Sequence, residues 1–430
     1  MNRIFPSKTA GDAVPTLKAF ARASDAPRIV RGERRVPFQN SVWIDTHHKP
    51  IELRPGGWFV HEQRPEGVYF KRNDNDLPMP IPLTAAQRTG TLLQSVGKLA
   101  EIANLGKSSV LLVVALITHW FVFDTGNPIW VLSAEPGAGK STAMGVLRDF
   151  AHPSRSAADN LPVKFSDVVA LLAKSRFRVF DNIEGLNPET ANAFCIVATE
   201  DGTVYITVRQ MYTEHGTKGV AAGGVIALTT IGSVTLRGDV VSRMALIEIE
   251  KRDGAMLLKS EIEARQKEMQ GEIFGALLDV AALAMAKVKE YGPEHEIRRL
   301  GGISRMASFD LWCCAVYSVV GLQERDALQM LQSMRSKSAI ETIEGHPVLG
   351  LLMRLEHPIQ GKTAEVSKEL LKLRGWTWPE PPSGWPSAIA LTKMLMREKG
   401  ALERVGFKVT AKIDPKGNEP AKWLIEPRKG

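Results

Sequence analysis

The sequence predicts an α/β protein. A P-loop nucleotide-binding core is preceded by a small N-terminal β-rich domain and followed by a helical region and a C-terminal winged-helix-like domain. Three observations predict this. An apolar, strand-like run, Ile129-Trp130-Val131-Leu132-Ser133, empties into Ala134-Glu135-Pro136-Gly137-Ala138-Gly139-Lys140-Ser141-Thr142, and that turn opens a helix. A second apolar run, Phe177-Arg178-Val179-Phe180, ends in Asp181 about 40 residues past the lysine. The C-terminal stretch reads helix, helix, then two short basic strands.

At 430 residues the chain is too long for one compact core. The texture divides it into a flexible basic arm (1–35), a β-rich domain with connector (36–83), a P-loop core with a helical lead-in (84–255), a helical domain (256–345) and the winged-helix-like domain (346–430). Hydrophobic content of 44% with 24% charged residues describes an ordinary soluble globular protein. A net charge of +8 leans towards an anionic partner, nucleic acid above all. Cys195, Cys313 and Cys314 show no CxxC spacing, so a reducing, cytoplasmic compartment without disulfides or a zinc site is expected. The N-terminus lacks the apolar segment of a signal peptide. The most apolar run, 109–123, is interrupted by His119 and falls short of the ~20 residues a membrane span needs. It reads as a buried helix, and no membrane partner is expected.

In chain order, residues 1–35 carry Arg28, Arg31, Arg34 and Arg35 with little periodicity, the texture of a solvated arm. Short β-like runs follow: 41–45, 51–53, 58–60 and 67–70, separated by turn residues, as in a small meander. His47 and His48 have no further ligands at helpful spacing and read as turn residues. Leu77-Pro78-Met79-Pro80-Ile81-Pro82 is an extended connector. Leu92, Leu93, Val96, Leu99 and Ile102 then recur at helical spacing.

The glycine turn after 129–133 carries the chemistry. Backbone N–H groups of the turn and of the following helix N-terminus can cradle a polyphosphate, and Gly137 and Gly139 let the chain curl. Residues 135–142 (Glu135, Pro136, Gly137, Ala138, Gly139, Lys140, Ser141, Thr142) are the candidate nucleotide-binding set, with Lys140 offering charge to the terminal phosphates and Ser141 a hydroxyl to Mg²⁺. ATP and Mg²⁺ are the expected cofactors. Ala134 stands where the motif's first glycine usually is. Asp181, ending a strand expected beside the P-loop strand, is the second Mg²⁺ ligand. Asn182 follows it where many ring ATPases place a catalytic glutamate. Glu184 is the candidate general base, on the condition that the chain is still extended there.

A third buried strand, 224–230, ends in Thr229 and Thr230, either of which suits a sensor that orients the attacking water. Arg237 and Arg243 flank a Gly-Asp turn before a fourth strand, and can stabilise γ-phosphate charge in cis or across a subunit boundary. Residues 256–330 give buried helical stripes, with Gly301-Gly302 as a hinge. In the last stretch, Lys393, Arg397, Lys399, Arg404, Lys408, Lys412, Lys416 and Lys422 would give the winged-helix-like domain a positive face for phosphates.

These residues resemble a family of P-loop ATPases (AAA+-like) encoded by phages and integrated elements, related to superfamily-three and poxvirus-type primase-helicases. The resemblance spans 42–425. It rests on Gly56-Gly57-Trp58, Val68-Tyr69-Phe70-Lys71-Arg72, the P-loop, Phe180-Asp181-Asn182-Ile183 and Ala198-Thr199-Glu200-Asp201-Gly202. It continues through Arg209-Gln210-Met211-Tyr212-Thr213, the 237–243 segment, Phe274-Gly275-Ala276-Leu277-Leu278-Asp279 and Arg305-Met306-Ala307-Ser308-Phe309. It implies an ATP-driven homo-oligomer, a hexameric ring, acting on DNA in replication of a phage or mobile genetic element. Lys140, Ser141 and Asp181 take the nucleotide and Mg²⁺ roles, and Arg209, Arg237 and Arg243 match the arginine positions, one of which acts on a neighbour's ATP. The chain shows no primase domain, so priming would come from a separate chain.

Three functions compete. The leading one is a DNA helicase or translocase ATPase. The second, favoured by Asn182, is a nucleotide-gated DNA-binding loader or initiator with slow hydrolysis. The third, a small-molecule kinase, fits poorly with the long helical C-terminal half and its basic wing.

Overall fold

Strand β1 (Val30–Gly32) opens the described chain, and β2 (Arg35–Phe38), β3 (Ser41–Ile44), β4 (Ile51–Arg54) and β5 (Gly57–Val60) form an antiparallel meander. β6 (Val68–Phe70) returns to pair in parallel with β1. The computed structural model describes residues 29–134, 137–199, 204–209, 217–230, 236–251, 257–292, 295, 305–377, 380–412 and 421–427, with backbone alone at 204–209 and 217–222. The expected basic arm ends earlier than the charge pattern indicates. Arg34 and Arg35 are buried, because each finds acceptors inside the fold. Arg34 donates to the carbonyls of Asp45, Leu77 and Pro153. Arg35 lies 4.6 Å over the Trp120 ring and pairs with Asp124 at 3.0 Å. His47 and His48 sit in the turn after β3, and no described cluster of His, Cys, Asp and Glu is arranged to hold a metal.

After the proline connector, Thr91 caps α1 (Leu92–Ala103) by accepting from Gln94 N–H, while Gln94 bonds back to the Thr91 N–H. Beyond its first turn, helix α2 (Lys107–Val122) is mostly apolar and is buried all round from Leu111 to Phe121. Strand β7 (Ile129–Ser133) leads into α3 (Lys140–Ala151), then α4 (Phe165–Lys174), β8 (Phe177–Ile183) and α5 (Pro188–Val197). Strands β9 (Val204–Arg209) and β10 (Thr217–Ala222) make an antiparallel hairpin before β11 (Val225–Thr230). A short helix α6 (Gly238–Val241) precedes β12 (Met244–Glu248).

The central sheet is parallel throughout, in the order β12-β7-β11-β8. The strand carrying Asp181 is therefore not the neighbour of the P-loop strand. β11 lies between them, because a strand buried on both faces, all apolar from Val225 to Leu228, takes the centre.

The long helix α7 (Lys259–Glu290), α8 (Ala307–Val319) and the first half of α9 (Glu324–Glu344) do not form a separate helical domain. Their apolar faces join one core that runs from Val42, Ile44, Ile51 and Leu53 of the meander through Trp120, Trp130 and Phe274 to Leu331. A second core fills the other face of the sheet, around Phe180, Phe194 and Leu228.

The C-terminal unit has its own core, from Ala339 to Ile425. After a 3-10 turn at Leu349–Arg354 come β13 (Ile359–Lys362), α10 (Thr363–Leu373), α11 (Ala388–Arg404), β14 (Lys408–Lys412) and β15 (Lys422–Glu426). The three strands pair antiparallel in the order β13-β15-β14. Strand β13 was not expected from the sequence. Gly301, Gly302 and Lys416 lie outside the described residues. The three cysteines are free and buried, and no described helix is long and apolar enough to cross a membrane.

Candidate functional site

All four parallel strands end at the same sheet edge, and the candidate residues gather there. β7 stops at Ser133 and the chain turns through Gly137 and Gly139, at φ +81° and +82°. Both angles lie in the left-handed region that glycine enters freely, and a Cβ at either position would meet only open space. At these two positions the turn presents backbone to the cleft. Helix α3 begins at Lys140, so the unpaired N–H groups of its first turn face the same way. Lys140 Nζ rests 3.1 Å from the Ala134 carbonyl, folded back over the turn. Glu135 and Pro136 lie outside the described residues.

Ser141, Asp181 and Thr229 meet at this edge from three different elements. Ser141 Oγ donates to the Asp181 carboxylate, at 3.0 and 2.9 Å from its two oxygens. Thr229 is buried; its hydroxyl donates to Asp181 Oδ1 and accepts from the Asn182 N–H at 2.9 Å. Thr230 instead turns towards the Leu132 carbonyl, at 3.4 Å. Of the two threonines, Thr229 is the one in the cluster. A serine hydroxyl and a carboxylate are hard oxygen donors of the kind a divalent cation such as Mg²⁺ takes, so the donor set fits that ion.

Glu184 does not join them. Asn182 adopts φ +57°, which breaks the strand alternation immediately after Asp181, and β8 ends at Ile183. Glu184 is exposed one residue beyond, with no hydrogen bond or ion pair to another described residue. The extended chain that its base role requires is absent.

The arginines lie elsewhere. Ile129 N–H, at the start of β7, donates to the Arg243 carbonyl at 2.9 Å. Arg243 is thus at the N-terminal edge of the sheet. The five-residue strand β7 separates it from the P-loop by roughly 13–16 Å at ~3.3 Å per residue. Arg237 is held in the same turn: it pairs with Asp239 through Nε–Oδ1 at 3.1 Å and Nη2–Oδ2 at 2.5 Å, and reaches the Pro188 carbonyl at 3.2 Å. Arg243 Nη1 donates to the Asp239 carbonyl at 3.0 Å. A role for Arg243 in cis beside this chain's own glycine turn does not fit that placement. Arg209 ends β9, and its side chain is outside the description.

One part of the site was not read from the sequence. Beside Gly137, Gly139 and Thr142 is a cleft of about 170 Å³, walled by Ile102, Ala103, Asn104, Leu257 and Ile262, with Lys251 at its rim. Asn104 makes it by ending α1 in the left-handed conformation, φ +53°, and exchanging hydrogen bonds with the backbone of Glu250. An asparagine just past a helical stripe is the visible signal for that helix end. Nothing local links it to a cleft formed by residues about 150 positions later.

Fold and site together define a class: an α/β protein whose parallel sheet carries a glycine-rich turn, a carboxylate and a threonine at one edge. The profile of the actinomycete integrative conjugative element replication proteins matches residues 96–334, more than half of the chain. The chain belongs to this family of replication proteins. The matched span begins in α1 and ends in α9, so it holds the whole sheet edge and excludes the meander and the C-terminal unit. Among solved structures, the chain is similar to the SCCmec type IV Cch active helicase, with 11% identity, a TM-score of 0.38, and coverage of 87% of this chain and 78% of that one. It is also similar to the C-terminal region of NrS-1 in an apo structure, with 10% identity, a TM-score of 0.33, and coverage of 88% and 94%. For the JCV helicase the identity is 15%, the TM-score 0.25, and the coverage 60% and 66%. No curated protein matches the chain.

Proposed function

We propose that this replication protein is an ATP-hydrolysing motor of the helicase or translocase kind, acting on DNA of its mobile element. The observation that carries the reading is the convergence of Ser141, Asp181 and Thr229 beside a turn built on Gly137 and Gly139. In this reading the α3 N-terminus and the turn hold the phosphates, and Lys140 leaves the Ala134 carbonyl to contact them. Ser141 and Asp181 hold Mg²⁺, which when bound supplies positive charge to the phosphate oxygens. Thr229 fixes the Asp181 carboxylate. The cleft lined by Ile102, Leu257 and Ile262 takes the flat apolar face of the base.

Arg243 sits at the opposite edge from this chain's own site, which supports a role at a neighbour's site and hence a homo-oligomer, with a hexameric ring as the proposed form. The order β13, α10, α11, β14, β15, with sheet order β13-β15-β14, is that of a winged helix and supports DNA contact by α11, where Lys393 and Arg397 are exposed.

A second reading, a nucleotide-gated loader with slow hydrolysis, is favoured by Asn182 and by the isolated position of Glu184. Turnover of ATP by the wild type and Lys140→Ala, with and without single-stranded DNA, separates the two. A motor requires Lys140, with a loss of about 100-fold on its removal, and a rise with DNA. Binding of ATP without turnover supports the loader, and turnover indifferent to Lys140 refutes both.

A further inference from the structure

Glu398 is a carboxylate with 3% of its surface exposed. It falls in the buried stripe of α11 with Leu391, Leu395 and Leu402, where a helix normally places an apolar side chain. Such a charge is costly to bury unless it is paired and hydrogen-bonded. Glu398 has both kinds of partner, and one of them belongs to the central sheet unit. Its Oε1 accepts from Arg397 Nε at 2.8 Å, and its Oε2 accepts from the Gly238 N–H at 3.0 Å. Gly238 is the first residue of α6, flanked by Arg237 before it and Arg243 beyond its end. A Cβ at Gly238 would lie 2.3 Å from Glu398 Oε2, so glycine is what lets the carboxylate seat. The Arg397 side chain is 44% exposed and faces solvent on the same helix as Lys393. One cation thus both neutralises Glu398 and is available to an outside anion.

We infer that Glu398 is a positioning residue for the arginine turn 237–243, and that through Arg397 it connects what α11 binds to turnover. This rests on the ATPase reading above. Its support is independent of the P-loop: a buried acceptor, the Gly238 N–H that donates to it, and a glycine required by close approach.

The test uses the full chain and four variants: Glu398→Asp, Glu398→Gln, Arg237→Ala and Arg237→Ala combined with Glu398→Asp. ATP kcat and KM, nucleotide affinity and thermal midpoint are measured with and without oligothymidylate. Aspartate keeps the charge but loses the reach to Gly238; glutamine keeps an acceptor at full reach. The expected result is a kcat lower by about 10- to 100-fold for Glu398→Asp, with KM and nucleotide affinity unchanged and the oligothymidylate response lost. Glu398→Gln should retain most of its kcat, and Glu398→Asp should cost little more once Arg237 is gone. Equal kcat for the wild type and Glu398→Asp, or losses that multiply in the double variant, overturn the inference. So does a fall in thermal midpoint with kcat untouched. Wild-type turnover that ignores Lys140 sinks the ATPase reading, and this inference with it. Lys140-dependent turnover indifferent to Glu398 sinks this inference alone.

Discussion

Thr229 serves two neighbours with one hydroxyl, the Asp181 carboxylate and the Asn182 N–H. Thr229→Val keeps its shape and removes both bonds. Losing the two bonds, one of them to a carboxylate, costs about 1–3 kcal/mol, which a urea titration reads. Turnover should fall because Asp181 loses its fixed orientation, while nucleotide affinity, set by the turn and α3, should hold. Full activity in that variant would falsify Thr229's role. At this scale the strand, glycine turn and helix were legible because the signal is local: a strand, two glycines and Lys140-Ser141 within a dozen residues. The choice between Thr229 and Thr230 was not, since it depends on which side of β11 faces Asp181. Nor was the conformation of Asn182, which is stable in the left-handed region because a short polar side chain tolerates it. The sequence leaves open whether the arginines act in cis or on a neighbour, because a Gly-Asp turn says nothing about which edge of the sheet it occupies.

Helix α7 is crossed by the proline connector at two glycines. Leu83 N–H donates to the Gly271 carbonyl at 2.8 Å, and a Cβ on Gly275 would stand 1.9 Å from the Leu83 carbonyl oxygen. Alanine gains about 1 kcal/mol over glycine in a helix, but here it meets backbone that cannot rotate away. Overpacking costs about 1–3 kcal/mol where side chains can give, and more where backbone must shift. Gly275→Ala should therefore destabilise, while Gly97→Ala in α1, where a Cβ meets nothing within 4 Å, should stabilise. Denaturant midpoints moving in the same direction for both would contradict the crossing. Helices with capping boxes and stripes, such as α1, were readable element by element. Strand β13 was not: Ile359-Gln360-Gly361-Lys362 has one apolar residue, and its pairing partner β15 lies more than 60 residues on. The place of β11 between β7 and β8 was likewise hidden, since strand order is a tertiary property.

The whole molecule has fewer parts than its texture indicates. Meander, sheet and α7 share one core, so the sequence boundaries near 83 and 255 mark changes of secondary structure, not of unit. In that core His119 is 1% exposed, bonded to Asn127 and packed against Phe123 and Phe309, and burial pushes its pKa down to about 3. Between that value and the ordinary 6.5 the unfolded chain holds a proton that the native chain does not. Stability therefore falls as pH drops through this window, by about 1.4 kcal/mol per unit from this group. Urea midpoints followed from about pH 6.5 to pH 5 should decline more steeply for the wild type than for His119→Gln; parallel lines would assign the slope to other groups. The sheet order has a consequence in time. β7 pairs only with β11 and β12, which begin at Val225 and Met244, about 100 residues downstream. At a synthesis rate of ~5–20 residues per second, Ile129-Trp130-Val131-Leu132 waits about 5–20 s on the ribosome without a partner strand. During that interval a row of large apolar side chains with open backbone edges is a segment of the nascent chain that calls for a chaperone.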